Sequence, residues 1–125
     1  MKRIISAKEA PAAVGPYSQA VEAAGTLYIS GQLPVDGATN SVPETIEEQT
    51  AQSLKNTLAI LTEAGYSKGD VVKSTVLLSS MDDFAAMNKV YGEFYGEPFP
   101  ARVCYQVAKL PLGVKVEIES IAVKG

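Results

Sequence analysis

The sequence predicts a two-layer α+β domain, a mixed β-sheet with two helices packed on one of its faces. Three observations lead there. Extended and helical patterns alternate as strand, strand, strand, helix, strand, helix, strand, strand. Two stretches, opening at Thr45 and at Ser80, repeat apolar residues at helical spacing. Two others, Val71–Leu78 and Ile118–Val123, carry apolar side chains on both faces of an extended chain, which suits strands covered on both sides. The 125 residues suit one domain with one core, and no repeat, linker or low-complexity run divides residues 1–125.

Lys2 to Ile5 opens the chain as a short strand, followed by an extended Ala/Pro/Gly-rich loop from Ala7 to Pro16. Tyr17 closes that loop, and on its own reads as a packing aromatic with a wet hydroxyl. Gln19–Ala23 and Thr26–Ser30 read as a hairpin. Its second strand stops at Gly31, where the plain reading is a turn or bulge. Thr45 and Glu48 form a capping-box pattern, TIEE, at the start of the first helix. Leu54, Leu58 and Leu61, with Ala51 and Ala64, make its apolar stripe; Gln52, Lys55, Asn56 and Glu63 go to the polar side, and Gly65 caps the end. After the strand at Val71, Ser80 caps a second helix, with Asp82 and Asp83 in its first turn. Phe84, Met87, Tyr91 and Phe94 form its apolar stripe. Asn88 lies on the flank of that stripe and reads as an ordinary helix polar residue. Gly96, Pro98 and Pro100 end the helix.

Composition narrows the chemistry. With 46% hydrophobic and 20% charged residues, this is an ordinary globular composition. A net charge of -3, with no Lys/Arg cluster, disfavours binding to a phosphate backbone. No apolar run is long enough for a membrane span or a secretory signal, so a cytoplasmic location is expected. The single Cys excludes an intrachain disulfide and suits a reducing compartment. The absence of His excludes Ser-His and Cys-His catalysis and argues against a metal site. Chemistry is left to Arg, carboxylates, Tyr, Ser, Lys, the lone Cys, backbone groups or a held water.

The last quarter, PFPARVCYQVAKLPLGVKVEIESIAVKG, reads as two strands, about Ala101–Ala108 and Val114–Val123, joined by a turn at Pro111 and Gly113. Arg102, Cys104 and Gln106 share one face of the first strand, and Val103, Tyr105 and Val107 the other. On the second strand Lys115, Glu117 and Glu119 share a face opposite Val116, Ile118 and Ala122. A hairpin of this kind would set a strand Arg near a strand Glu, although parity does not decide the register. The plain reading is a surface ion pair, which is worth little. The functional one has Arg102 grip a substrate carboxylate through its planar fork while Glu117 handles a proton.

PARVCYQVAKLP followed by VKVEIESIAV closely resembles the signature of the RidA/YjgF family of reactive-intermediate deaminases. APAAVGPYSQAV, LYISGQLPVD and DFAAMNKVY resemble further segments of the family pattern, in the same order. The resemblance implies a chorismate mutase-like fold assembled as a homotrimer, with the sheets forming a central barrel and ligand clefts between subunits. It implies cofactor-independent hydrolysis of 2-enamine/2-imine acids to 2-keto acids and ammonia, a 2-iminobutanoate/2-iminopropanoate deaminase. By the same resemblance Arg102 and Glu117 are catalytic, and Tyr17, Ser30, Gly31, Asn88 and Cys104 line the substrate cleft. At all seven positions the sequence agrees with the family pattern. Cys104 invites a nucleophile role, but no His is present to activate the thiol, so its backbone is read as the contributor.

Two other classes of function compete. One is a non-catalytic trimer that captures small carboxylates at the clefts. The other is an RNA-directed translation inhibitor or endoribonuclease, against which the acidic balance argues. The apolar residues on the uncovered sheet face independently suggest self-association.

Overall fold

In a computed structural model, which describes residues 1–124, the first hairpin turns through Ala24 and Gly25 at φ 50° and 78°. Both are left-handed, as a tight hairpin turn between right-twisted strands requires. The hairpin joins β2 (Ala20–Ala23) to β3 (Thr26–Gln32), with β1 (Arg3–Ile5) on its outer side. The sheet is completed by β4 (Val71–Leu78), β5 (Ala101–Gln106) and β6 (Val116–Val123), in the order β1-β2-β3-β6-β4-β5. Only β4 and β5 run parallel, so the sheet is mixed.

The C-terminal hairpin does not form. β4 inserts between the last two strands, parallel to β5 and antiparallel to β6. The chain between them, with a 3-10 turn at Pro111–Gly113, therefore crosses the end of β4 rather than reversing on itself. Turn residues mark where a chain bends, but they do not say which strand pairs with which.

Helices α1 (Ile46–Ala64) and α2 (Phe84–Tyr95) cover one face of the sheet. The Thr45 hydroxyl accepts from the Glu48 amide at 3.1 Å, and Gly65 caps the C-terminus at φ 83°, both as expected. The buried side of α1 differs from the expected stripe. Leu58 is 38% exposed, whereas Asn56 is fully buried beside Ser53, Leu54, Thr57, Ile60 and Leu61. Asn56 is inside because its amide donates to the carbonyls of Leu33 and Val35, pinning the loop after β3. Gln49 likewise donates to Pro43 and accepts from the Lys115 amide. Burial is tolerated where each polar group finds a partner.

Two apolar clusters lie between helices and sheet, one around Leu27, Ile29, Ile60 and Leu61, the other around Leu54, Val76, Met87, Val116 and Ile118. Among the described residues no helix packs on the opposite face of β4 and β6. Tyr28, Val72, Val103, Tyr105 and Val123 are exposed there. No helix among the described residues is long and apolar enough to cross a membrane.

Candidate active site

Register decides which of the candidate residues meet. Arg102 pairs with Ser74, and Glu117 pairs with Leu77. Those two β4 positions are three residues apart, so their side chains project to opposite faces of the sheet. Arg102 projects to the helix-covered face and Glu117 to the open one. Within one chain they do not form the pair that a hairpin would have made.

Around Arg102 the surroundings are aromatic. The guanidinium carbon lies 4.9 Å from the centre of the Tyr91 ring and 5.7 Å from that of Phe84. One of its terminal nitrogens lies 4.0 Å from the Met87 sulfur. No carboxylate pairs with it among the described residues. Asn88 shares the α2 face of Phe84 and Tyr91, at the helical spacings i, i+4 and i+7. Cys104, two residues along β5, lies on the same face as Arg102, against the second apolar cluster. Burial pushes its thiol up, and the Arg102 charge offsets this only in part. A thiol held protonated is a poor nucleophile.

Glu117 stands over a glycine. β3 bulges between Ile29 and Gln32, so that Ser30 and Gly31 occupy the irregular step opposite β6. A Cβ on Gly31 would collide with the Glu117 carboxylate, which explains glycine here by close approach rather than by backbone angle. The two residues line a cavity of about 120 Å³ with Thr75, Leu77, Tyr105 and Glu119. Burial raises the Glu117 carboxyl above its ordinary value, and the Glu119 charge raises it further.

Ser30 belongs with this half. The Ser30 hydroxyl donates to the Ser18 carbonyl at 2.6 Å, tying the end of the first loop to the bulge. Gln19, buried beside it, exchanges hydrogen bonds with Ala7 and donates to Pro11, which holds the rest of that loop. Tyr17 is half exposed and lines a wider cleft, about 680 Å³, with residues of β1 and the loop. That cleft is larger than the Glu117 cavity but holds none of the other six candidates. The seven residues thus separate into Arg102, Cys104 and Asn88 on one side of the sheet, Ser30, Gly31 and Glu117 at the bulge towards the other, and Tyr17 in a cleft of its own beside β1.

A family model described as Endoribonuclease L-PSP matches residues 7–124. The goat 2-iminobutanoate/2-iminopropanoate deaminase is 52% identical over 126 residues, covering 100% of this chain and 92% of that one. This chain belongs to the RidA/YjgF family. Among other relatives, the 2-iminobutanoate/2-iminopropanoate deaminase of Salmonella typhimurium is 46% identical over 127 residues, with 99% of each protein covered. The crystal structure of Escherichia coli TdcF with bound serine superposes at TM-score 0.96 and 43% identity, over 98% of this chain and 99% of that one. RidA from an Antarctic Psychrobacter superposes at TM-score 0.95 and 48% identity, over the same shares. The RidA-like fold therefore runs through the whole described chain.

Tyr91 and Phe84 were not singled out as site residues by sequence reasoning. Their helical spacing marks them as core stripe, and nothing local signals that a strand Arg from β5 would lie against them.

Proposed function

We propose that this RidA-family chain is a cofactor-independent deaminase that hydrolyses 2-enamine/2-imine acids to 2-keto acids and ammonia. One observation carries the reading. The Arg102 guanidinium is held by aromatic rings and a thioether with no carboxylate to neutralise it, so its fork is free for a substrate carboxylate. The relatives named as 2-iminobutanoate/2-iminopropanoate deaminases support the same chemistry.

The steps follow from the residues. Arg102 binds the carboxylate bidentately and orients the neighbouring C=N carbon. An enamine first gains a proton at carbon and becomes the imine. Glu117 holds a water, takes one of its protons as the oxygen attacks the imine carbon, and returns that proton to nitrogen. The resulting carbinolamine expels ammonia and leaves the keto acid. Backbone amides at Gly31 and Cys104 stabilise charge as it develops, and Tyr17 closes the cleft.

Arg102 and Glu117 lie on opposite faces of one sheet, so the reading requires two copies of the chain. The exposed apolar face supports an oligomer in which the Glu117 half of one copy meets the Arg102 half of the next. A homotrimer around a central barrel satisfies that arrangement with three equivalent clefts.

The test is keto-acid and ammonia release from an imino acid made in situ by a threonine/serine dehydratase, with Arg102→Ala alongside. Acceleration by the wild type alone supports the reading. No acceleration by an intact oligomer contradicts it.

The serine bound to E. coli TdcF favours one second reading, a non-catalytic trimer that captures small carboxylates. A binder would tolerate Glu117→Gln, whereas an enzyme loses turnover and keeps ligand. The family description as an endoribonuclease points to RNA, but the net charge of -3 gives no basic footprint.

A further inference from the structure

Among the described residues, five buried hydroxyls, those of Ser53, Ser74, Tyr91, Tyr95 and Ser120, have no protein hydrogen-bond partner. Four of them cluster behind Arg102. Ser74 is the strand partner of Arg102 on one side and of Ser120 on the other. Burial raises both tyrosine hydroxyls above their ordinary values. The Tyr91 and Tyr95 rings lie 4.9 Å apart at 52°, and Tyr91 is only 3% exposed. A ring this confined has little freedom to turn, and its face is presented to the guanidinium.

A tyrosine with a buried hydroxyl that lacks a bonded partner is a costly way to fill space. Phe would fill the same volume without the polar group. The ring face, not the hydroxyl, is the part that meets the guanidinium. A cation is attracted to the face of an aromatic ring. Held in this way it keeps its hydrogen-bonding edge and its full charge, neither of which a carboxylate partner would leave free.

We infer that Tyr91, seconded by Phe84, is a positioning residue: it brackets the Arg102 guanidinium so that the fork faces the cleft unpaired. The Tyr95 ring, packed against it at 4.9 Å, limits how far the Tyr91 ring can turn. This rests on Arg102 being the carboxylate-binding group.

The test measures binding of 2-oxobutanoate, a short 2-keto acid, together with the NMR signal of the Arg102 Nε–H. Wild type, Tyr91→Phe, Tyr91→Leu, Phe84→Leu and Arg102→Ala are compared. Tyr91→Leu is expected to weaken binding on the order of tenfold, and Phe84→Leu less. Tyr91→Phe keeps most of the affinity, because the ring face remains. KM should rise in parallel with Kd, with kcat changed little. The Arg102 Nε–H signal should lose its ring-current displacement in Tyr91→Leu and keep it in Tyr91→Phe. If Tyr91→Leu fails to fold, Phe84→Leu and the wild-type signal still decide. A wild-type Nε–H without ring-current displacement, or unchanged affinity in both leucine variants while Arg102→Ala abolishes binding, overturns the inference and leaves the deaminase reading standing. Unchanged affinity in Arg102→Ala overturns both.

Discussion

Arg102 stands on an edge strand beneath α2, with an aromatic ring and a thioether against it. Glu117 stands on an inner strand, on the face no helix covers, with a glycine bulge beneath it. The first half is made by packing within one chain. The second is made by removing a side chain, and it opens onto a surface of exposed Val and Tyr. The cation is bracketed by groups of its own chain, whereas the carboxylate faces the side of the sheet that no helix covers.

The largest effects should come from the two charged groups, and they should differ in kind. Arg102→Ala and Glu117→Gln are each expected to lower kcat/KM by at least about 10²-fold. Arg102→Ala should also abolish keto-acid binding, whereas Glu117→Gln should retain it, as calorimetry would show. Gly31→Ala tests the open half by geometry alone. Its methyl would displace the Glu117 carboxylate, so a loss of roughly tenfold to 10²-fold in kcat is expected, with substrate affinity changed less.

The pH profile gives a smaller but sharper contrast. Burial and Glu119 hold the Glu117 carboxyl above its ordinary value, and the deprotonated form is the one that takes a proton. Activity should therefore rise with pH through a limb above the usual carboxylate range. Glu119→Gln removes the repelling charge and should move that limb to lower pH. The smallest effect belongs to Cys104→Ser. If only its backbone contributes, kcat/KM should change by less than about threefold. Complete loss would make the thiol a participant.

Much of the fold was legible because its signals are local. The capping box at Thr45, the αL glycine at Gly65, the first hairpin and the face of each β6 residue all follow from neighbouring residues. What was not legible depends on partners far along the chain. Asn56 is buried because carbonyls at Leu33 and Val35 need its amide, and no period-3.6 pattern encodes that. β4 separates the last two strands although they are adjacent in sequence, which sets the expected Arg–Glu neighbour pair on opposite faces of the sheet. The candidate residues themselves came from a family resemblance, and their grouping came from strand register.

The measurement that bears most directly on this account is complementation between two inactive chains. Arg102→Ala and Glu117→Gln variants would be unfolded together, refolded as mixed oligomers, and assayed for imine hydrolysis. If each cleft takes its Arg from one copy and its Glu from the next, random assortment leaves about a quarter of the clefts intact, and activity should return to that extent. Mixed oligomers no more active than either parent would contradict a site shared between copies.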